Sequence, residues 1–414
     1  MKRRWSFFAA AACVAAMVSP VLSQSAFAQS KFKIYLSLSY SGNVWQAAAA
    51  NDVKALAKTP PYNKLVDLKE IISGTNPQAQ ISDYQSMIAN GANAIISFPV
   101  SPTALNRVIE RGCHQGVVFF MYDATVTAPC AYNVSYITSG FGENTAQYLV
   151  NLLHGKGNVM INRGVPGNTV DTRHYDGMMA VFNKYPGIKI LDTYYGYWDD
   201  ARSRAATAQA LAAHPNVDGI ASQLGEYGVF EAALAANPNK LPFITGEDTN
   251  GIRLAFANPK YQKAGLKGVS SGSPPASAGY AFKLMMELLQ HKIKLASHNV
   301  EFPLPWVPWN EVKMCPGEAQ VNGCNTFKPG VVAPTWTDAA TGYPRLLPEL
   351  DLHAAQTGEP VPGQHIQPLP PIGEYGVKYA PNEAGINCQG GTKGCGTPVY
   401  TVYKVKPIPV PAAN

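Results

Sequence analysis

Apolar and polar positions between residue 31 and about residue 302 alternate between two kinds of segment. Short runs rich in β-branched and aromatic residues indicate strands, and longer runs with helical spacing lie between them. The strand-like runs are KIYLSLS, VDLKEII, ANAIISFP, GVVFFMYD, GNVMIN, IKILDTYY, VDGIAS, LPFITG and LKGVSS. Three of the helix-like runs are NPQAQISDYQSMIANG, SPTALNRVIERG and DARSRAATAQALAAHP. This alternation predicts parallel sheets covered by helices on both faces.

The strand-like runs are too numerous for one small sheet, and they divide into two series near YITSGFGEN. We therefore expect an α/β protein with two similar lobes. The first lobe is predicted to comprise residues 29–138 and 273–298, and the second residues 139–272 and 299–310, with crossovers near residues 137–140, 271–274 and 297–301.

Local signals predict where some of the helices begin and end. Ser101 followed by Pro102 predicts an N-cap and the first residue of a helix. Gly91 and Gly112 stand where the end of a helix favours a left-handed residue.

The chain changes character after about residue 310. Proline and glycine become frequent, as in VPGQHIQPLPPIGEYG, and helical spacing fades. Disordered tracts have a similar composition, but this segment also carries aromatic residues and four cysteines. We expect residues 311–414 to form an irregular extension, pinned by disulfides and packed on the lobes.

The N-terminus has the pattern of a secretory signal peptide. The basic residues of MKRRW precede an apolar run, and AFA then offers small residues for cleavage after Ala28. A membrane anchor is the alternative, but the apolar run is short and Pro20 interrupts it. We expect residues 1–28 to be removed and the mature protein to reside in the periplasm.

Removal of residues 1–28 takes away Lys2, Arg3 and Arg4, which supply half of the formal net charge of +6. No run of basic residues remains that would indicate nucleic-acid binding. No later stretch is long and apolar enough to predict a membrane span.

Six cysteines remain after residue 28, and an even number in an oxidising compartment indicates disulfides. The short separations favour pairing between neighbours, although other pairings are open. A metal site is disfavoured, because neither a CxxC motif nor a His pair at helical ligand spacing is present. The favoured pairs are Cys113 with Cys130, Cys315 with Cys324, and Cys388 with Cys395.

Polar and aromatic residues follow several predicted strands, and ligands bind at the carboxyl ends of such strands. The stretch YSGNVWQ places Trp45 in a short loop between a strand and a helix, at such an end. Sugars and polyols favour this set, because aromatic rings stack on their C–H faces and planar polar groups bind their hydroxyls. The candidate ligand-binding residues are Ser39, Asn43, Trp45, Asp123, Thr172, Arg173, Trp198, Gln223, Glu247 and Asp248.

Each candidate also has a structural interpretation. Asp199 and Asp248 could cap helices, and Arg173 could form a surface ion pair of little energetic value. Trp198 could close a hydrophobic core. Recurrence of such residues at the strand ends favours the ligand-binding interpretation.

Signatures of catalysis are missing. The sequence has no GxSxG, HExxH or GxxxxGK[ST] motif. Asp123, Glu226 and Asp248 could form an acid–base set on the same scaffold, since a fold does not determine function. We expect a binding protein without a cofactor rather than an enzyme.

The run YWDDARSRAATAQALAAHPNVDGIASQ resembles the periplasmic sugar-binding proteins of ABC importers, in the ribose, galactose and xylose group. KIYLSLSYSGNVWQ is similar to the family's first strand and ligand loop, MIANGANAIISFPVSPTAL to a later strand and helix, and FITGEDTNG to a segment with a ligand-binding aspartate. The resemblance covers roughly residues 31–302. It implies the type I periplasmic binding protein fold, with two Rossmann-like lobes around a ligand cleft.

The resemblance also implies roles for individual residues. Trp45 and Trp198 would face each other as aromatic side chains from the two lobes. Hydrogen bonds to the ligand would come from Ser39, Asn43 and Asp123 of the first lobe, and from Asp248 and either Thr172 or Arg173 of the second.

Several positions depart from the ribose-type pattern. Ala124 stands in place of an arginine, Leu224 and Gly225 in place of Asn-Asp, and Glu247 in place of an aromatic residue. Gly272 or Ser273 replaces a glutamine. These changes remove hydroxyl-binding groups, so we expect a larger or less polar ligand, or a pyranose held chiefly by stacking. The common family members have no counterpart of the extension.

The resulting expectation is an exported, monomeric solute-binding protein. The lobes would close on one small molecule by a hinge motion, and an ABC permease in the inner membrane would recognise the closed form. A ligand sensor for a chemoreceptor or sensor kinase is one alternative. A binder of a less polar, non-sugar ligand on the same fold is another.

Overall fold

A computed structural model describes residue 1 and residues 30–39, 43–136, 140–247, 249–302, 304–317, 323–329, 346–380 and 405–410. The expected signal peptide lies outside these residues, apart from Met1. Asp248, Cys388 and Cys395 lie outside them as well. Cleavage after Ala28, the role of Asp248 and the third disulfide therefore stay predictions.

The described residues contain strands and helices in regular alternation. The strands are β1 Phe32–Leu38, β2 Val66–Ile72, β3 Ala94–Ser97, β4 Val118–Tyr122, β5 Tyr132–Ser135, β6 Lys156–Arg163, β7 Gly187–Tyr195, β8 Gly219–Ser222, β9 Phe243–Gly246, β10 Gly268–Ser271, β11 Asn299–Glu301, β12 Trp306–Pro308 and β13 Lys378–Tyr379. The helices are α1 Val44–Lys58, α2 Tyr62–Leu65, α3 Pro77–Ala89, α4 Asn106–His114, α5 Phe141–Leu152, α6 Thr169–Phe182, α7 Asp200–Ala213, α8 Glu226–Ala236, α9 Asn250–Ala257, α10 Pro259–Lys263, α11 Ala276–Leu289 and α12 Leu352–Thr357.

The strands form two sheets, one in each lobe. Their orders are β13-β11-β5-β4-β3-β1-β2 and β12-β10-β9-β8-β6-β7. The pairs β11–β13 and β10–β12 are antiparallel, and the other pairs among the described strands are parallel. All nine strand-like runs of the sequence form strands, so the predicted fold class is confirmed.

Helices cover both faces of the first sheet because its strands are apolar on both faces. Ile34 and Leu36 of β1 belong to a core shared with α1 and α11. Tyr35 points to the other face and packs in a cluster with Tyr84 of α3 and Ile109 of α4. The alternation of neighbouring strand residues between faces produces these two layers.

The lobe boundary differs from the prediction at residue 299. Asn299 pairs in register with Asn133, and the Asn133 Nδ2 donates to Asn299 Oδ1 at 3.0 Å. Strand β11 therefore belongs to the first sheet, whereas β12 returns to the second. The predicted assignment of all of residues 299–310 to the second lobe is wrong for β11, because a strand of three residues carries too weak a pattern to be assigned.

Two of the predicted helix signals are also wrong. The Ser101 Oγ accepts hydrogen bonds from Thr103 N at 3.5 Å and Ala104 N at 3.2 Å, but this caps a turn and α4 begins only at Asn106. Gly91 is left-handed as predicted, with φ of 74°. Gly112 lies inside α4, where an added Cβ would come within 2.6 Å of the Phe119 ring, so close packing requires this glycine.

Two of the predicted disulfides are present. Cys113 is bonded to Cys130 in the first lobe, and Cys315 is bonded to Cys324 in the extension. Among the described residues, no group of three or more His, Cys, Asp or Glu side chains is placed to hold a metal ion. Within the same part of the chain, no helix has the length and apolar character that a membrane span needs.

The described parts of the extension pack on both lobes. The Asn51 Nδ2 of α1 donates to Ala355 O of α12 at 3.0 Å. Near the C-terminus, Asn144 Oδ1 of α5 accepts from Val405 N at 2.9 Å. The expectation of an extension packed on the lobes is confirmed for these segments.

A buried ion pair ties the extension to the first lobe. The Lys283 Nζ of α11 lies 2.7 Å from Glu349 Oε1, and both side chains are fully buried. The same carboxylate oxygen accepts from Gln367 N at 2.6 Å. Burial lowers the pKa of Lys283, and the neighbouring Glu349 opposes that shift.

We expect Lys283→Met to lower the unfolding free energy by about 3–5 kcal/mol, because it leaves a buried carboxylate without its cation. The double variant Lys283→Met/Glu349→Gln should recover most of the loss, since the amide oxygen still accepts from Gln367 N. Urea unfolding curves measure both effects. A single variant as stable as the parent would show that the pair does not anchor the extension.

Candidate functional site

The carboxyl ends of the two sheets meet around a small cavity. Its volume is about 20 Å³, which is room for about one water molecule. Pockets for small molecules usually measure about 300–1,000 Å³, so a sugar-sized ligand requires the lobes to separate. The cavity is lined by Asn43, Trp45, Gln46, Phe98 and Asp123 of the first lobe, by Val170, Trp198, Leu224 and Glu247 of the second, and by Ser273 of a crossover.

Trp45 belongs both to the cavity wall and to the core. Its indole Nε1 donates to Ser273 O at 2.7 Å, and its ring packs on Phe98 and Tyr122 with centroid distances of 6.0 and 6.4 Å. Only 7% of the residue is exposed. Asn43 fixes the start of α1, because its side chain accepts from the backbone N–H of Gln46.

Trp198 forms the opposite wall, in a strained turn after β7. Its φ is 57°, in the left-handed region. The indole Nε1 donates to Gln223 Oε1 at 3.1 Å, and Gln223 Nε2 donates to Asp171 Oδ1 at 2.9 Å. A Cβ at Gly164 would lie 2.0 Å from the indole, so the ring lies directly against the backbone there. The ring faces Phe98 edge to face, at 6.4 Å between centroids.

Asp123 is a buried carboxyl group at the end of β4. Its φ is 62°, and its N–H donates to Val134 O at 2.8 Å. The Oδ1 atom has no hydrogen-bond partner within the described part of the chain. Burial raises the pKa of Asp123 to about 7, although a hydrogen bond from Ser273 opposes the shift.

Glu247, at the end of β9, is linked to a neutral histidine. Burial, together with the nearby Arg173 charge, lowers the pKa of His174 to about 3. The His174 Nδ1 lies 3.3 Å from Glu247 Oε1, and its Nε2 lies 3.1 Å from Tyr136 Oη. The Nδ1 contact is a close approach without hydrogen-bond geometry, whereas Nε2 and the Tyr136 hydroxyl form a hydrogen bond next to a crossover.

Three hydrogen bonds join the two lobes at the edges of the cavity. Each joins a side chain to the backbone of the facing lobe. They run from Asn43 Nδ2 to Trp198 O at 2.9 Å, from Asn168 Nδ2 to Pro99 O at 3.1 Å, and from Thr125 N to Thr169 Oγ1 at 3.1 Å. Such bonds each contribute about 1 kcal/mol, so the closed arrangement is held weakly at these points.

The extension supports the second lobe beside the cavity. Asn250, the first residue of α9, accepts from Phe327 N at 2.7 Å and donates to Phe327 O at 3.1 Å. The fully buried Arg253 donates through Nη1 to Asn325 O at 2.7 Å. These bonds hold residues 325–327 against the helix that follows the strand end carrying Glu247.

The structure brings five of the ten candidate residues together at the cavity: Asn43, Trp45, Asp123, Trp198 and Glu247. Gln223 lies behind the cavity and positions Trp198. Ser39 is buried but does not line it. Asp248 is outside the described residues.

The two candidates from α6 are not placed at the cavity. The Thr172 Oγ1 donates to Asn168 O in its own helix at 2.9 Å. Arg173 is half-buried, and its charge acts on Glu143, Asp176 and His174, but the residue does not line the cavity. The geometry does not support ligand contacts for either residue in this conformation.

Gln46, Phe98 and Val170 line the cavity but were not among the residues that the sequence indicated. Leu224 and Ser273 line it too, at positions that the family resemblance had marked as lost hydroxyl-binding groups. Phe98 directly follows β3, so the strand-end argument applies to it as well. His174 was missed although it lies one helical turn after Val170 on the same face. No sequence signal indicates that the Ser273 backbone accepts from Trp45, because that contact joins residues 228 positions apart.

Comparison with known proteins places most of the two lobes in one family. Residues 34–293 match the family described as periplasmic binding protein domain. The chain is 23% identical to the D-allose-binding periplasmic protein of Escherichia coli over 281 residues, which are 66% of this chain and 88% of that protein. It is 28% identical to the xylitol-binding protein of Mycolicibacterium smegmatis over 153 residues, 36% of this chain and 44% of that protein. The chain thus spans less than half of the xylitol-binding relative.

The fold is similar to that of an ABC transporter solute-binding protein from Thermobispora bispora. The two structures superimpose with a TM-score of 0.63 at 23% identity, over 82% of this chain and 99% of that chain. This share exceeds what residues 1–310 contain. The likeness to this protein therefore extends beyond residue 310.

Trp45 is expected to contribute to stability as well as to the cavity wall. Trp45→Phe should cost about 1–2 kcal/mol of unfolding free energy, because the Ser273 carbonyl loses its donor, and Trp45→Ala about 3–5 kcal/mol. Trp309→Phe is the matched control, because this half-buried ring lies beside Lys267 and not at the cavity. Equal urea midpoints for Trp45→Phe and the parent would contradict the role of the bond.

Asp123 and His174 should give opposite pH dependences. The folded state holds the Asp123 proton more tightly than the unfolded state, so its contribution to stability falls as pH rises from about 4 to 7. The lowered pKa of His174 makes stability rise between about pH 3 and 6.5. We expect the unfolding free energy of Asp123→Asn to rise more steeply than that of the parent, by roughly 1.4 kcal/mol per pH unit between pH 4 and 6.5. Profiles of urea midpoint against pH that run parallel for Asp123→Asn and the parent would contradict this prediction.

Proposed function

The chain belongs to the periplasmic binding protein family, and we propose that it is an exported protein that captures a sugar or polyol between its lobes and delivers it to an ABC importer. The observation that carries this proposal is the cavity itself. Two tryptophans and two carboxyl groups from opposite lobes line one space at the carboxyl ends of both sheets.

The chemistry of the lining supports a polyhydroxy ligand. Flat rings such as Trp45 and Trp198 pack on the C–H faces of a sugar or polyol. The Asp123 Oδ1, which has no partner among the described residues, is available to a ligand hydroxyl. The relatives named above bind, by their names, D-allose and xylitol.

The positions that depart from the ribose-type pattern support a ligand that relies on stacking. Leu224 lines the cavity with an apolar side chain. Ala124 is fully buried and is not among the lining residues. Neither position supplies a side-chain hydrogen bond, so the remaining polar groups and the two indoles would carry specificity.

Capture rather than catalysis fits the geometry. The acid–base alternative requires Asp123, Glu226 and Asp248 to meet at one place. Glu226 is buried at the start of α8 and does not line the cavity with Asp123. On this proposal the ligand leaves the protein unchanged.

The proposal includes export by the segment 1–28 and action as a monomer in the periplasm, with a permease of the inner membrane as partner. Delivery requires two states of the protein that the permease can distinguish. The weak bonds between the lobes and the small cavity suit such an equilibrium, because a ligand between the lobes would favour one state over the other.

A thermal-shift screen of the oxidised mature protein tests the proposal. We expect xylitol, D-allose or another pentose, hexose or polyol at saturating concentration to raise the melting temperature by about 5 °C or more. Small aromatic and alicyclic acids complete the screen. The proposed ligand class would be overturned if no sugar or polyol raised the melting temperature and one of these acids did.

Variants of the two walls then test whether the shift comes from the cavity. Trp198→Phe keeps a ring but loses the bond to Gln223, and we expect a reduced ligand-induced shift. Trp309→Phe should keep the full shift. An undiminished shift in Trp198→Phe and in Trp45→Phe would place the ligand elsewhere.

A further inference from the structure

Both ionisable side chains of the described residues that line the cavity are carboxyl groups. Asp123 comes from the first lobe and Glu247 from the second, and they are 4% and 6% exposed. No Lys or Arg of the described residues lines the cavity. His174, next to Glu247, is neutral at physiological pH because its pKa is lowered to about 3.

The two nearby arginines, Arg163 and Arg173, do not line the cavity. Arg163 forms a two-pronged pair with Asp171, with Nη2 to Oδ2 at 2.6 Å and Nε to Oδ1 at 3.2 Å. Its guanidinium also stacks 3.9 Å from the centre of the Tyr175 ring. The Arg173 charge acts on Glu143 and Asp176. The Arg173 charge also acts on His174 beside Glu247, but neither arginine lines the cavity, so neither contacts a ligand there in this conformation.

We propose that this cavity selects ligands by charge: it takes neutral polyhydroxy compounds and their protonated amino derivatives, and it rejects sugar acids and sugar phosphates. The inference rests on the proposed function and narrows it to a substrate class. An anion would be a third acidic group in a space from which water is excluded, where like charges repel strongly. A hydroxyl or ammonium group instead supplies the hydrogens that the two carboxyl groups can accept.

Matched compounds on one carbon skeleton test this selection. Calorimetric titrations at pH 7.5 would compare xylitol, 1-amino-1-deoxyxylitol and xylonate, and likewise D-allose, its 2-amino-2-deoxy derivative and allonate. We expect each neutral compound and its amine to bind, and each acid to bind at least about 100-fold more weakly than its neutral parent. An acid that binds within tenfold of its parent would overturn the charge selection and leave the proposed function standing.

Variants that replace a cavity carboxyl group with an amide provide a second test of the charge selection. Asp123→Asn and Glu247→Gln keep the shape of each side chain. Either variant should reduce the ratio of the Kd of the acid to the Kd of its neutral parent at least about tenfold. Asp67→Asn is the matched control, because Asp67 is exposed on β2 and its removal changes the formal charge equally. The proposal would be overturned if this Kd ratio stayed unchanged in both cavity variants. It would also be overturned if the ratio fell equally in the control. If none of the six compounds binds, the same comparison of neutral compound, amine and acid is made on the skeleton of the sugar or polyol that raises the melting temperature; if no sugar or polyol raises it, the proposed function itself fails.

Discussion

The contact between the two mostly parallel sheets, at the carboxyl ends of their parallel strands, is the constraint on which this molecule depends. Parallel strands bring the loops that follow them to one edge, and the crossovers turn two such edges toward each other. Three hydrogen bonds and the edge contact between Phe98 and Trp198 span the gap. Each of these hydrogen bonds is individually weak. One apolar cluster also spans the gap, because it holds Trp45 and Phe98 of the first lobe together with Trp198 and Leu224 of the second, so separation of the lobes exposes part of it. Each lobe has a further cluster of its own, which stays packed.

The same constraint explains how much could be predicted from the sequence. Nine apolar runs indicated nine strands, because a strand buried on both faces is a nearly continuous apolar run. Once the strands are placed, the residues after them must gather at one edge. This reasoning alone places Asn43, Trp45, Asp123, Trp198 and Glu247 together, without knowledge of any side-chain direction.

The rest depends on directions and on packing between distant segments. Position after a strand does not distinguish Gln223, which holds Trp198 from behind, from Trp198 itself. Arg173 and His174 are neighbours in α6, yet only His174 is buried beside Glu247. The short strand β11 and the turn after Ser101 lack enough residues for a pattern. The extension could be located by composition, but its bonds to Asn250 and Lys283 require the folded lobes.

The central claim is that a ligand reaches the cavity only when the lobes separate. Small-angle X-ray scattering of the mature protein, dialysed free of small molecules, measures this most directly. We expect the radius of gyration of the ligand-free protein to fall when a saturating sugar or polyol is added, because the lobes close around the ligand. A radius that stays unchanged when a sugar or polyol binds would contradict this claim.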